Sequence, residues 1–288
     1  MKRAFAWIVI SYVAALLVAA LVLRALPGHA PLVRVAAADA AATCVVFAFS
    51  VAFDNSSFYD AYWSVAPIAI AGWLAAEPGA AHANPARRVL VVALVTLWGV
   101  RLTWNWARGW AGLRHEDWRY VNLRRTTGRA YWPVSFLGLH FFPTVLVFLG
   151  CLPLAAALVD GDAPLGPLDA LAAAVTLGAT VLEAAADEQL RAFRSQKARE
   201  GDVCDVGLWA WSRHPNYLGE IGIWVGVGLF GLAAGAPSWA AIGVVAMIAL
   251  FVGISIPMIE KRSAERRPAW AAYRARTSML LPWPPRNR

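Results

Sequence analysis

The chain has 288 residues, of which 59% are hydrophobic and only 15% are charged. Soluble domains carry about 25% charged residues, so this composition excludes an ordinary soluble enzyme. The net charge of +8 is compatible with a nucleic-acid partner, but the basic residues gather in short loops between apolar segments. We therefore expect cytoplasmic loops of a membrane protein and no nucleic acid. Cys44, Cys151 and Cys204 have no paired spacing, so neither a disulfide framework nor a metal site is predicted.

Eight apolar segments follow one another along the chain and predict its fold. They lie near residues 4–26, 34–53, 60–76, 88–107, 134–159, 166–191, 217–234 and 238–259. Most are long enough to cross a hydrocarbon core about 30 Å thick as a helix. We predict an all-α polytopic membrane bundle of seven or eight transmembrane helices. It forms a single domain over residues 1–288 and contains no Rossmann domain.

Two of these segments admit more than one interpretation. Lys2 and Arg3 precede the first segment, as in a signal peptide, but no cleavage site follows it, so we expect a membrane helix. The third segment is short and follows the polar stretch Asp54-Asn55-Ser56-Ser57. It is either a full span or a tilted or re-entrant helix.

The distribution of basic residues predicts the orientation in the membrane. With eight spans and the N-terminus inside, the loops 108–133 and 192–216 and the tail 260–288 all face the cytoplasm with both termini. All three regions are rich in lysine and arginine, as cytoplasmic regions are. Arg87 and Arg88 fall on the outer side and are exceptions.

The end of the sixth segment carries a polar stripe. Glu183, Asp187, Arg191 and Arg194 are spaced four, four and three residues apart and so share one face of a helix. One interpretation is a helix end with salt bridges. The other is a cofactor site, in which the acid receives ribose or amide groups and the arginines receive phosphate.

The run from Trp211 to Glu220 combines basic, amide, phenol and carboxyl groups at the start of the seventh segment. Pro215 suits the first turn of a helix, and Arg213 and His214 precede it, so basic groups and free backbone amides converge on one point. This arrangement suits a pyrophosphate. The alternative is a capped helix with interfacial anchors. The candidate cofactor contacts in this run are Arg213, His214, Asn216, Tyr217 and Glu220.

Two further basic regions are candidates for the same site. Residues 114–120 place acids, arginines and aromatic residues close together, which favours an ordered loop over a purely topological basic loop. Its candidate cofactor contacts are Glu116, Asp117, Arg119 and Tyr120. The tail from Glu260 to Pro285 is either an amphipathic helix on the anionic leaflet or a cover over the cofactor.

Among the polar residues inside or beside the apolar segments, Asp60, Tyr62, Asn105 and His140 are the candidates near a substrate chamber. A carboxyl in an apolar chamber tends to stay protonated and can donate a hydrogen bond to a carbonyl oxygen, so Asp60 is the leading catalytic candidate. For His140 we expect a buried, hydrogen-bonded imidazole. The stretch Gly226–Gly231 matches a dinucleotide-binding pattern letter for letter, but no strand precedes it, so we expect a close helix contact instead.

These motifs resemble the C-terminal half of the steroid 5-alpha-reductase superfamily. The likeness is carried by Asp187-x6-Arg194, Gly207-Leu208-Trp209, the run through Glu220 and the ending from Tyr273 to Trp283. The Arg-His-Pro-Asn-Tyr-Leu-Gly core is also similar to that of sterol delta-14 reductases and, more loosely, of isoprenylcysteine carboxyl methyltransferases. The likeness is greatest to a bacterial membrane family with a 5-alpha-reductase-like domain, which adds motifs at 105–108, 115–120 and 138–143.

The resemblance implies a membrane enzyme in the bacterial inner membrane, with N-terminal helices over 1–53 and a catalytic region over 54–288. It implies NADPH held at the cytoplasmic face by Asp187, Arg194, Asn216, Tyr273 and Arg119. Asp60 stands where the steroid enzymes carry a glutamate that polarises the substrate carbonyl. Their partner tyrosine is replaced here by Asn105, and they lack the Arg213-His214-Pro215 of this chain, so the reductive chemistry is implied more strongly than a steroid substrate.

We therefore predict an NADPH-dependent reductase of an activated carbon–carbon double bond in a lipid-soluble substrate, surrounded by membrane lipids. Asp60, helped by Asn105 or Tyr62, would stabilise the enolate oxygen. One alternative is a methyltransferase using S-adenosylmethionine, whose cofactor has no phosphate and would not need Arg194, Arg199 and Arg213. A second alternative is a non-catalytic lipid-binding membrane protein.

Overall fold

The computed structural model describes residues 2–196 and 201–285. Arg199, named above as a possible phosphate ligand, lies outside the described residues. Within them the chain is helical, and an isolated bridge between Ser212 and Ser278 is the only β-type pairing. The predicted all-α polytopic bundle is confirmed.

The bounds of the α-helices are as follows: α1 Lys2–Ala25, α2 Pro31–Ala52, α3 Tyr62–Ala76, α4 Pro85–Gly109, α5 Trp118–Thr127, α6 Tyr131–Ser135, α7 Phe142–Ala155, α8 Pro167–Ser195, α9 Leu208–Trp211, α10 Pro215–Ala233, α11 Ile242–Leu250, α12 Ile256–Arg266 and α13 Trp270–Arg276. Three π-helical stretches occur at Phe136–Phe141, Ala156–Asp160 and Phe251–Ser255. Short 3-10 turns occupy Ser56–Tyr59, Pro78–His82, Gly128–Ala130 and Ser238–Ala241.

Seven helical segments of the described chain are long and apolar enough to cross a membrane. They are Lys2–Ala25, Pro31–Ala52, Pro85–Gly109, Trp118–Asp160, Pro167–Ser195, Pro215–Ala233 and Ser238–Arg266. The chain is therefore an integral membrane protein. The segment Trp118–Asp160 contains α5, α6 and α7, so the predicted loop 108–133 is partly helical.

Helix α3 has 15 residues, about 22 Å at 1.5 Å per residue, which is less than a hydrocarbon core of about 30 Å. Its two ends nevertheless lie at opposite ends of the bundle. Asp60, just before α3, accepts a hydrogen bond from Tyr120, whereas Glu77, just after it, pairs with Arg34 at the start of α2. The third apolar segment is thus a short helix that connects both ends of the bundle, packed among longer ones.

One end of the bundle, which we call the basic face, gathers both chain ends and the polar regions around 53–61, 110–130, 201–214 and 260–285. Phe5 near the N-terminus packs on Trp110, with ring centroids 4.9 Å apart. At the C-terminal end, the backbone N–H of Trp283 donates to the carbonyl of Trp211 over 3.1 Å. Both described ends of the chain therefore lie on the same side, and the compartment that this side faces stays a prediction.

The two arginines that depart from the charge rule lie at the opposite end. Arg87 is fully buried, and its guanidinium donates two hydrogen bonds to Asp169, of 2.7 and 3.0 Å. Further donors of Arg87 reach the carbonyls of Ala163 and Pro164. Arg88 donates to carbonyls at the end of α3 and in the following turn. The hydrogen bonds of these two arginines stabilise the turns that connect the helices at this end.

Glycines line the most extensive helix contact of the described bundle, between α8 and α10. A Cβ added at Gly219 would lie 2.6 Å from the Glu183 Cβ, and one added at Gly226 would overlap Thr176. The stretch Gly226–Gly231 therefore lies inside α10 as a helix contact, as expected from the sequence. The close approach of the two helices also brings their polar ends together at the basic face.

Candidate functional site

Two adjoining cavities lie between the helices at the basic face. The larger has a volume of about 1770 Å³ and the smaller about 800 Å³. Six residues line both cavities: Trp118, Asn216, Tyr217, Arg262, Glu265 and Arg266. All but two of the residues predicted for the site line one cavity or the other; the exceptions are Tyr62 and Arg191.

Three carboxyl groups, which we call the acidic cluster, lie in the wall of the larger cavity: Glu183 and Asp187 on α8 and Glu220 on α10. Arg101 of α4 pairs with Glu183 and donates to Asp187 Oδ2 over 2.7 Å. Glu220 accepts hydrogen bonds of 3.1 Å from the indole N–H groups of Trp98 and Trp224. The acidic cluster is thus held by donors from α4 and α10.

Asn105 and Arg191 join this cluster from its outer end. The Asn105 amide N–H donates to Asp187 Oδ2 over 2.9 Å, and its Oδ1 accepts from Arg191 Nη2 over 2.6 Å. Asn105 was predicted as a catalytic partner of Asp60, but its amide is committed to Asp187 and Arg191. Its position supports a role in the acidic cluster.

Asp60 has a different partner from those expected. Tyr120, at the start of α5, donates a 2.6 Å hydrogen bond to Asp60 Oδ1. Burial raises the pKa of Asp60 to about 6, partly offset by the Tyr120 hydrogen bond and the positive charge of Arg119. Tyr62, predicted beside Asp60, instead donates to Asp39 Oδ1 over 3.0 Å and does not line the larger cavity.

The loop that carries Tyr120 is ordered by its own acids. Glu116 accepts a 2.7 Å hydrogen bond from the backbone N–H of Ser56 and a 3.4 Å contact from Arg124. Asp117 caps α5 by accepting a 2.9 Å hydrogen bond from the backbone N–H of Arg119. Its carboxylate also pairs with the Arg119 guanidinium over 2.7 Å. The predicted ordered loop is therefore present, and it forms one side of the larger cavity.

The smaller cavity concentrates positive charge. Its lining includes Arg194, Arg262, Arg266 and Arg267, with Glu265 as a carboxylate among them. Burial, together with the charges of Arg194 and Arg262, lowers the pKa of Arg267. Arg194 is exposed, and among the described residues its guanidinium makes no hydrogen bond and no ion pair. A cavity with crowded and uncommitted arginines favours an anionic ligand.

Aromatic side chains complete the smaller cavity. The Arg262 guanidinium lies 4.0 Å from the ring centroid of Trp118, a geometry that holds the charge over an aromatic face. The buried indole N–H of Trp270, which also lines this cavity, has no hydrogen-bond partner among the described residues. The cavity therefore offers a ligand both positive charge and an indole N–H donor that has no partner among the described residues.

Arg213, His214 and Tyr273 line the smaller cavity but are engaged in holding the tail. Arg213 Nε donates to Glu260 over 2.8 Å, and Nη1 donates to the Thr277 carbonyl over 2.5 Å. His214 Nε2 lies 3.2 Å from the same Glu260 oxygen, and the Tyr273 phenol donates to the Trp209 carbonyl over 2.7 Å. The tail thus forms a wall of the smaller cavity.

Sequence reasoning missed two residues that organise this site. Arg101 lies inside the fourth apolar segment, where an arginine is by itself a signal for a functional site or a paired acid. Glu260 was noted only as part of the tail, and no local pattern indicates that it pairs with Arg213 and His214. The role of His140 is resolved: the residue is fully buried, with Nε2 3.0 Å from Ser50 Oγ and Nδ1 3.1 Å from the Ser135 carbonyl.

The fold and the site define a helical integral membrane protein with two adjoining cavities at its basic face. The chain belongs to the family described as a protein of unknown function (DUF1295), whose model matches residues 46–277. An uncharacterized protein of Schizosaccharomyces pombe (strain 972 / ATCC 24843) is 28% identical over 262 residues, covering 83% of this chain and 76% of its own. No solved structure matches the chain.

Proposed function

We propose that the protein is an NADPH-dependent reductase of an activated carbon–carbon double bond in a lipid-soluble substrate. The observation that carries this proposal is the junction of two cavities of different character. The smaller brings five arginines together with a single carboxylate, and the larger holds a carboxyl–phenol pair beside apolar side chains as well as further basic residues. A phosphorylated cofactor and an apolar substrate would meet where the two cavities join.

The residues of the smaller cavity suit NADPH. Among the described residues, Arg194 and Arg267 make no side-chain hydrogen bond or ion pair, and the buried Trp270 indole N–H has no hydrogen-bond partner. These groups would hold phosphates, while Asn216 and Asp187, at the junction with the larger cavity, would receive amide or hydroxyl groups. When bound there, NADPH supplies a hydride.

In the larger cavity, Asp60 and Tyr120 would position the substrate carbonyl. When Asp60 is protonated, it can donate to the Tyr120 oxygen, which frees the single phenol O–H to donate to a carbonyl oxygen and stabilise the negative charge that develops there. Trp63, Phe142 and Met258 line the same cavity and would hold the apolar body of the substrate. Asp60 and Tyr120 would therefore stabilise the negative charge on the substrate oxygen, and the apolar wall would select the substrate by its shape.

The basic face would lie in the cytoplasm. It carries most of the arginines of the chain, and such regions remain on the cytoplasmic side. This orientation would open both cavities to the compartment in which NADPH is available. In a bacterium the membrane would be the inner membrane. A steroid-like substrate is compatible with the size and apolar wall of the larger cavity, as are other flat lipids.

Calorimetric titration of the detergent-purified protein with NADPH, NADH and S-adenosylmethionine tests the proposal. We expect NADPH to bind most tightly. Arg194→Ala should weaken NADPH more than NADH if this arginine meets the extra phosphate, whereas Arg129→Ala, an exposed residue that lines neither cavity, should change neither. Binding of S-adenosylmethionine without NADPH would replace the reductase proposal with a methyltransferase, and binding of none of the three would favour a non-catalytic lipid-binding protein.

A further inference from the structure

One wall of the larger cavity is built from two π-helical stretches on different spans. Gly138 and Leu139 come from the stretch Phe136–Phe141, and Ile254 and Ser255 come from the stretch Phe251–Ser255. π-Helical turns inside α-helices are frequently found at functional sites. Here two of them face one cavity.

The spans that carry these stretches touch at one end and separate towards the other. Gly243 of α11 packs against α7 so closely that an added Cβ would overlap the Leu149 carbonyl. Seven residues nearer the basic face, about 10 Å along each helix, Phe142 and Leu250 both line the larger cavity instead. The two spans therefore form a V that is closed near Gly243 and open beside the cavity.

The open end of this V reaches the outer surface of the bundle. Phe142 and Ile254 line the cavity and are also 42% and 47% exposed, and Gly138, four residues before Phe142, is exposed as well. Their neighbour Leu137 is 62% exposed. Ile254 precedes Glu260 by six residues, about 9 Å along the helix, so the opening lies within the apolar part of the span.

We propose that this opening, which we call the lateral mouth, admits the substrate from the membrane leaflet next to the basic face. The inference rests on the proposed function and names the route and class of its substrate. That substrate is a membrane-dissolved molecule with an apolar body and a single polar head. The rim of Phe142 and Ile254 would pass the apolar body, and Asp60 with Tyr120 would receive the head inside the cavity. A charged, water-soluble substrate would instead enter from the basic face.

Cysteine accessibility in proteoliposomes tests the lateral mouth without any need for cofactor or turnover. Ser255→Cys places a thiol in the cavity wall just inside the mouth. Two reagents are compared, an N-alkylmaleimide that dissolves in the bilayer and a charged trimethylammonium methanethiosulfonate that stays in water. Modification of residue 255 is quantified by peptide mass, so the native cysteines remain in place.

Blocking the mouth should slow only the lipid-soluble reagent. A Cβ added at Gly138 meets nothing within 4 Å, so Gly138→Trp is expected to fold and to slow alkylmaleimide labelling about tenfold, equivalent to about 1.4 kcal/mol in the barrier. The charged reagent should react at an unchanged rate. The matched control is Gly178→Trp on α8, a residue that is also exposed and uncrowded but does not line the cavity.

A second variant widens the mouth, so that the test does not depend on the correct folding of Gly138→Trp alone. Phe142→Ala widens the rim and should speed alkylmaleimide labelling of Ser255→Cys. The inference is overturned if neither mouth variant changes the alkylmaleimide rate, or if both reagents change equally. These outcomes are separate from the proposed function, because a protein that fails to bind NADPH can still show or lack the lateral mouth.

Discussion

Tyr120 donates a 2.6 Å hydrogen bond to Asp60 across 60 residues of sequence. The phenol comes from the first turn of α5, and the carboxyl precedes α3, so the contact joins two elements at the basic face. Arg119, next to Tyr120, also lies near the Asp60 carboxyl and lowers its pKa. A carboxyl and a phenol within one hydrogen bond, at the edge of an apolar chamber, can act together on a carbonyl oxygen.

Tyr120→Phe should therefore lower turnover without weakening NADPH binding. Loss of one donor to a developing oxyanion typically costs about 10²- to 10³-fold in kcat. The measurement is NADPH oxidation with a lipid-soluble enone, alongside calorimetric NADPH affinity. Tyr62→Phe serves as the comparison, because Tyr62 donates to Asp39 away from the cavity. A larger loss in Tyr62→Phe than in Tyr120→Phe would return the catalytic role to the residue predicted from the sequence.

Turnover should fall as pH rises through the pKa of Asp60, which burial raises to about 6. The hydrogen-bond donor is the protonated carboxyl, which is abundant below that pH and scarce above it. Asp60→Asn keeps an N–H donor and removes the titration, so its profile should be flat across this range. Asp54→Asn, which changes an exposed carboxylate paired with Arg124, should keep the wild-type profile. A step near pH 6 that survives in Asp60→Asn would assign the titration to another group.

The same shift predicts a pH dependence of stability. Because the pKa of Asp60 is raised from 3.8 to about 6 on folding, the folded state holds the proton more tightly than the unfolded state. The contribution of the Asp60 carboxyl to the free energy of unfolding is fully present below about pH 4. As pH rises through about 6 this contribution, at most about 3 kcal/mol, is lost. In detergent, Asp60→Asn should thus gain stability relative to the wild type as pH is raised from 4 to 7. A difference between the two proteins that stays constant with pH would contradict this.

Arg87→Met should destabilise the protein strongly and leave cofactor binding intact. The guanidinium is fully buried and pairs with Asp169, so its removal leaves a buried carboxylate without its partner, a loss of about 3–5 kcal/mol. Thermal unfolding in detergent measures the effect. The double variant Arg87→Met with Asp169→Leu should recover part of the loss, since both charges are then gone. Equal destabilisation in the single and double variants would show that packing, and not charge, is responsible.

Glu260→Gln should loosen the tail from the basic face. Glu260 accepts from Arg213 over 2.8 Å and lies 3.2 Å from His214 Nε2, so the neutral amide weakens both contacts. We expect faster trypsin cleavage after the basic residues of α13 and weaker NADPH binding, because the tail forms a wall of the smaller cavity. Glu188→Gln, which alters an exposed ion pair with Arg108, is the control. Unchanged cleavage in Glu260→Gln would mean that the carbonyls of Thr277 and Arg274 hold Arg213 and the tail on their own.

The sequence by itself determined the helical membrane fold, since apolar length and backbone hydrogen bonding leave few alternatives inside a bilayer. It also indicated features that depend on neighbours in the chain, such as the start of α10 at Pro215, the small-residue face at Gly226 and the ordered loop before Tyr120. The tertiary structure decided which side chains meet. Tyr120, and not Tyr62 or Asn105, contacts Asp60, and Arg101 pairs with Glu183, because such contacts depend on how far each helix is rotated and how closely its glycines let it approach the next. Those quantities are set by packing across the whole bundle, and no local pattern of residues encodes them.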